Sequence, residues 1–185
     1  MIILEGPDGA GKTVLSVKLQ NEFGLELQPK VVSGEAKSLV SLDDWVDEEL
    51  NKGVGPRLYD RFPLTSAPHY LHLPNPTFDG RFKDPAWLMG AWIQLRHIKP
   101  LVIVCLPPLR NVVDSVWHDD TNAVVRQSIE PIYWSYFNWA NGFRPLVDII
   151  TYDYTRVGVP AEHQWGNIER HVRWIKARCR EADND

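Results

Sequence analysis

Cysteine is scarce in this chain, with only Cys105 and Cys179 among 185 residues. They lie far apart and match no metal-ligand spacing, which argues against a disulfide framework and for a reducing compartment. Long apolar runs are missing too. The longest, Leu101 to Leu106, falls far short of the ~20 residues that span a bilayer, so no membrane attachment is expected. Neither sign of charge dominates: the formal net charge is −4. That gives no global attraction for nucleic acid, although a local basic groove remains open. No repeat or low-complexity segment occurs, and no Asn-Lys-x-Asp motif that would mark a guanine-reading switch. His69 and His72 are three apart and His118 precedes two aspartates, but no second pair completes a zinc site. The first residues already read as a strand, so no signal peptide is expected ahead of the fold and the cytoplasm is the expected location.

What is present is an ordinary globular composition, 44% apolar and 24% charged, enough for one domain over residues 1–185. Near its start stands Gly6-x-x-x-x-Gly11-Lys12-Thr13, the P-loop or Walker A spacing. Glycines let successive backbone N–H groups curl toward phosphate oxygens, and the helix that follows adds its positive end. Lys12 supplies a mobile charge for the β- and γ-phosphates, and the Thr13 hydroxyl can ligate Mg²⁺. The flanks agree. Ile2, Ile3 and Leu4 read as a buried strand, and Leu15, Leu19 and Phe23 recur as on one helix face. Gly6, Asp8, Gly9, Ala10, Gly11, Lys12 and Thr13 are therefore the candidate nucleotide-binding set, with ATP and Mg²⁺ as the expected ligands.

Further along, Val31 and Val32 read as a second strand ending at Ser33-Gly34-Glu35. Leu39, Leu42, Val46 and Leu50 mark a helix whose acidic residues are expected to be its solvated face. Arg57 to Arg61 reads as a strand, and a helical stretch and a proline- and glycine-rich loop, Pro74 to Pro85, follow it. Trp87 to His97 is predicted helical, Leu101 to Leu106 a buried strand, and Leu109 to about Trp117 a helix. After a polar break, Asp119 to Asn122, one more helix runs to about Trp139. Val147 to Tyr152 is the last strand, and a packing helix near 163–181 closes the domain. This alternation predicts a three-layer α/β P-loop fold with a parallel sheet of about five strands and helices on both faces. Ligands in such sheets sit beyond the carboxyl ends of the strands. The P-loop, Ser33-Gly34-Glu35 and Asp60-Arg61 are expected to converge there. Asp60 can serve Mg²⁺ or accept a proton, and Arg61 can clamp a phosphate oxygen.

The stretch "LEGPDGAGKT" and the later "DRF" resemble the thymidylate kinase-like and deoxynucleoside kinase branch of P-loop kinases. "DRFPLTSAPHY" and "PPLRNVVDSV…IEPIYWSY" look most like its phage-encoded members, some of which phosphorylate 5-hydroxymethyluracil in DNA. The resemblance implies that Asp8 meets the acceptor, that Thr65 or Ser66 matches the family's next hydroxyl residue, and that a lid near 118–127 supplies an arginine. Arg126 is the first candidate for that arginine and Arg110 the second, because Ala10 stands where some members carry one in the P-loop. Asp8, Glu35, Arg61, Phe62 and Tyr70 form the expected acceptor set; Lys12, Asp60, Arg61 and Arg126 the expected catalytic set; Thr13 and Asp60 the expected metal set. The chain departs from thymidylate kinases in lacking an Arg-Glu-Pro segment after the second strand, and from deoxynucleoside kinases in having Phe62 where they place serine. A nucleoside monophosphate, a nucleoside and a hydroxymethyl base in modified DNA all stay open as acceptors. So does a homodimer. If the chain is phage-encoded, its cytoplasm is the host's. The tryptophans and Gln94 are expected to be packing or solvated groups, and the basic last helix a solvated face or, with DNA as acceptor, a phosphate track.

Overall fold

The structure, a computed structural model, describes residues 1–29, 41–70, 73, 80–118, 123–142 and 147–182. Strand β1 (Ile2–Glu5) is buried at every position, as an apolar run covered on both faces requires. Helix α1 (Lys12–Phe23) turns Leu15 and Leu19 inward. Strand β2 (Glu26–Leu27) comes earlier than the expected Val31–Val32, which lie outside the described residues. Helix α2 (Leu42–Asn51) starts at Ser41, whose hydroxyl accepts from the Asp44 N–H. Then come β3 (Arg57–Asp60), α3 (Pro63–Tyr70) and a 3₁₀ turn, Gly80–Lys83. Helix α4 (Pro85–Ile98) has Asp84 as its cap and a proline in its first turn, both favourable at a helix start. Strand β4 (Leu101–Cys105) leads to α5 (Leu109–His118).

The one helix expected next is two, α6 (Ala123–Gln127) and α7 (Ile129–Asn141), with a break at Ser128. Strand β5 (Asp148–Tyr152) and helix α8 (Val159–Ala182) finish the chain, the helix starting before the expected 163. No helix among the described residues is long and apolar enough to cross a membrane.

The sheet has five strands in the order β2-β3-β1-β4-β5, and every pairing is parallel. Side chains alternate across it, so each face carries its own core. Ile3, Tyr59, Val102 and Val104 pack with residues of α2, α3, α4 and α7. Ile2, Leu4, Leu58, Leu101 and Ile103 pack with residues of α1, α5 and α8. Register places Leu4 beside Asp60 and beside Ile103. The carboxyl ends of β1, β3 and β4 therefore open on one edge, where the P-loop begins.

The acidic face of α2 is not simply solvated. Arg81, in the 3₁₀ turn, donates to Asp43 at 2.8 Å, to Asp47 at 2.7 Å and to Asp44 at 2.5 Å. Burial pushes the Asp43 carboxyl up, but hydrogen bonds from Ser41 and Arg81 outweigh it and hold it well below the usual carboxylate range. Glu49 is buried and accepts from the Tyr59 hydroxyl at 2.6 Å and from Lys52 at 2.6 Å. These contacts fix α2 against β3 and against the turn ahead of α4.

Candidate active site

The P-loop leaves β1 through Gly6, whose φ is 131°. A Cβ there would lie 2.5 Å from the Cys105 carbonyl oxygen, so only glycine lets β1 and β4 come this close. Gly11 opens α1 at φ 82°, and a Cβ on it would meet the Tyr154 ring at 2.8 Å. Between them the loop borders a cavity of about 750 Å³, lined by residues 8–14 with Asp60, Arg61, Ser115 and Tyr154. That is the size of a small-molecule site.

Lys12 lies buried at the base of this cavity, its ammonium donating to Gly6 O at 3.0 Å and Pro7 O at 2.6 Å. Burial, then the neighbouring Arg61 charge, lowers its pKa to about 8, against the opposite pull of Asp8 and Asp60. Thr13 is exposed in the first turn of α1, on the cavity wall. Asp60 ends β3 and is buried, also on the wall. One hydroxyl and one carboxylate bordering a phosphate cradle suit Mg²⁺, which takes few protein ligands and completes its shell with phosphate oxygens and water.

Arg61 follows at φ 70°, left-handed backbone for a residue with a β-carbon. Its guanidinium donates to Asp8 Oδ1 at 2.9 Å and lies 4.9 Å from the Tyr70 ring centre. Its Nε is buried and meets no hydrogen-bond partner among the described residues. The Tyr70 hydroxyl donates to Asp8 Oδ2 at 3.3 Å. Burial pushes the Asp8 carboxyl up, but Arg61 and then Lys12 outweigh it and hold it below its ordinary value. Asp8, Arg61 and Tyr70 thus form one polar cluster beside the phosphate loop.

Other expected site residues sit elsewhere. Phe62 is fully buried in an aromatic core with Trp45 and Tyr59, at ring separations of 5.6 and 5.4 Å, because the left-handed turn at Arg61 points the next side chain inward. Thr65 and Ser66 are buried and donate to Glu5. Arg126, on α6, holds its guanidinium 5.2 Å from the Trp117 ring centre and does not line the cavity. Arg110 is exposed on α5. Glu35 and the break Asp119–Asn122 lie outside the described residues. His69 is buried, stacked on Tyr136 at 3.8 Å and hydrogen-bonded to Ser135. Gln94 is exposed and borders a smaller groove between α2 and α4.

Sequence reading passed over three groups. Ser115 and Tyr154 complete the cavity wall from α5 and from the segment after β5. Tyr154 stands beyond a strand's carboxyl end, the same signal that marked Asp60. Glu5, an acidic residue ending an otherwise apolar strand, carried the signal of a buried charge needing partners.

No family model matches the chain, and no curated protein does. Solved structures do. It is similar to the YorR protein of Bacillus subtilis in complex with phosphorylated GDP, at 17% identity and a TM-score of 0.64, over 91% of this chain and 95% of that one. It is also similar to deoxyadenosine kinase from M. mycoides with bound dCTP, at 14% identity and a TM-score of 0.58, over 94% of this chain and 99% of that one. The same kinase with products dCMP and a flexible dCDP bound gives 15% identity and a TM-score of 0.57, over 94% and 98%. At these identities the likeness establishes the fold: this chain has the three-layer α/β P-loop architecture.

Proposed function

We propose that this protein is an ATP- and Mg²⁺-dependent phosphotransferase acting on a deoxynucleotide-type acceptor, in the manner of thymidylate kinases. The observation that carries the reading is the meeting, around one cavity, of a glycine phosphate cradle holding Asp8 and Lys12 with Asp60 and Arg61 from the end of a neighbouring strand, Arg61 donating to Asp8. The loop amides and Lys12 hold the donor phosphates. Thr13 and Asp60 are the residues that would hold Mg²⁺, which when bound neutralises charge on the β- and γ-phosphates. The acceptor oxygen forms its bond to the γ-phosphorus as the bond to the β,γ-bridging oxygen breaks. ADP leaves with that oxygen, and the acceptor's proton, where it has one, passes to a carboxylate, Asp60 or Glu35 in this reading. Asp8 and Arg61 orient the acceptor, with Tyr70 behind them. Arg126 serves the transferring phosphoryl group in this reading, which requires its guanidinium to leave the Trp117 ring.

A second reading, a nucleoside as acceptor, draws on the likeness to deoxyadenosine kinase and on the Asp8–Arg61 pair. A carboxylate already satisfied by arginine suits a sugar hydroxyl better than a second anion. The test is transfer of labelled γ-phosphate from ATP to deoxynucleosides, to their monophosphates, and to DNA with and without 5-hydroxymethyluracil. Transfer to monophosphates supports the first reading. Transfer only to nucleosides, or only to hydroxymethyluracil DNA, replaces it with that acceptor. No transfer to any of them refutes the enzyme and leaves a nucleotide-binding module.

A further inference from the structure

The turn that carries Asp60 and Arg61 holds a backbone conformation that does not stand by itself. Arg61 at φ 70° occupies a region persistent only where the surroundings over-determine it. Two consecutive residues of β1 do so. The Arg61 N–H donates to Leu4 O at 2.9 Å. The next N–H, of Phe62, donates to Glu5 Oε1 at 3.1 Å. Glu5 is fully buried, and three hydroxyls donate to it: Thr65 at 2.6 Å, Ser66 at 2.8 Å to Oε1 and 3.1 Å to Oε2, and Tyr136 on α7 at 2.8 Å. One carboxylate therefore joins the root of the P-loop, the first turn of α3 and the middle of α7. Burial raises the Glu5 pKa, and the donors around it, Thr65 first, pull the other way. For stability alone, an apolar filling of the same volume serves about as well as a buried polar cluster. What such a filling cannot do is accept the Phe62 N–H and so hold the turn.

We infer that Glu5 is a positioning residue whose buried carboxylate sets the Asp60–Arg61 turn so that the Arg61 guanidinium reaches Asp8 at the cavity. It does not line the cavity and touches no reacting group; it acts through the Phe62 backbone. The inference rests on the kinase reading only in placing the acceptor beside Arg61.

The decisive variant is Glu5→Gln, which keeps the volume but offers an amide where two oxygens accepted. The acceptor KM should rise about tenfold while the ATP KM stays within about twofold. Introduced into Arg61→Ala, the same change should add almost nothing, because both act on one contact. The ¹⁵N–¹H resonance of Arg61 Nε, assigned by its loss in Arg61→Ala, should shift in Glu5→Gln. That last readout needs no turnover. An enzyme inactive toward every acceptor would refute the kinase reading and still leave Glu5 testable. An unshifted resonance with an unchanged acceptor KM, or full additivity with Arg61→Ala, overturns the inference; lower melting temperature with unchanged kinetics does the same. If Glu5→Gln does not fold, Thr65→Ala removes one donor from the same carboxylate and must move the Arg61 resonance, and its failure to do so is equally fatal.

Discussion

The phosphate-loop side and the Arg61 side of the cavity are built by opposite means. The phosphate loop is local: residues 6–13 are contiguous, and its shape comes from glycines whose backbone no other residue could copy beside Cys105 and Tyr154. The Arg61 side is assembled from distance. Asp8 meets Arg61 and Tyr70 across the sheet edge, and the turn beneath them hangs on Glu5, Thr65, Ser66 and Tyr136. A local device fails at one residue. An assembled one fails by degrees, through residues that never touch a ligand.

The sharpest break of that comparison is Lys12→Ala. Removing the Lys12 charge from the cradle should cost ~3 kcal/mol of barrier or more, at least a hundredfold in kcat/KM. Stopped assays on a protein with unchanged circular dichroism check it, and near wild-type turnover would end the donor-site assignment. On the other side, Arg61→Ala should act mainly on the acceptor, raising its KM ten- to a hundredfold with a smaller loss in kcat. Steady-state kinetics with each substrate varied in turn separates the two. Equal effects on both substrates would mean that the two sides are one device.

The pH response sharpens the contrast further. In the ligand-free protein Lys12 titrates near 8, below its ordinary 10.5, because burial and Arg61 disfavour its charge. Phosphate favours that charge, so binding takes up a proton where the free lysine is neutral. ATP affinity should be flat below pH 8 and weaken above it, by up to about tenfold per pH unit, with proton uptake visible in calorimetry in buffers of different ionisation enthalpy. For folding the sign is the reverse. The cost of burying the charged lysine is fully present below pH 8 and is relieved as pH rises from 8 toward 10.5, so this group makes the ligand-free protein more stable across that window. Affinity that ignores pH from 7 to 9 would put the charge elsewhere. The smallest expected effect is that of Tyr154→Ala. It removes a half-exposed ring from the donor wall and should raise the ATP KM a few-fold, about 1 kcal/mol, without changing the acceptor KM. A change in the acceptor KM instead would move Tyr154 to the other side.

The same division governs what could be read from the sequence. The loop was legible residue by residue, because its chemistry depends on spacing along the chain. So were β1, β3, β4 and β5, whose bounds match the expected strands to within a residue. Strand β2 was not legible: Glu26–Leu27 has no apolar run, and its position follows from pairing with Arg57 and Leu58, while the expected Val31–Val32 lie outside the described residues. Asp60 and Arg61 were visible as charges ending a strand, but the left-handed turn was not, and that turn sends Phe62 into the core. Arg81 was invisible as a partner of α2, since three aspartates on a helix look like a wet surface until a cation arrives from another element. Side chains that converge from separate elements leave no spacing to read.

The place of β1 in the sheet has a consequence for synthesis. It lies between β3 and β4, strands made long after it. During translation its apolar run has no neighbour on either edge until β3 is made, and none on the second edge until the chain has grown through Cys105. Glu5 lacks its Phe62, Thr65 and Ser66 donors until α3 is made and its Tyr136 donor until α7 is, and before β4 pairs the loop lacks the Cys105 carbonyl against which Gly6 packs. Folding of this protein should therefore be a late, concerted event with the phosphate cradle among its last products, and nascent chains truncated before β4 should depend on chaperones and bind no nucleotide.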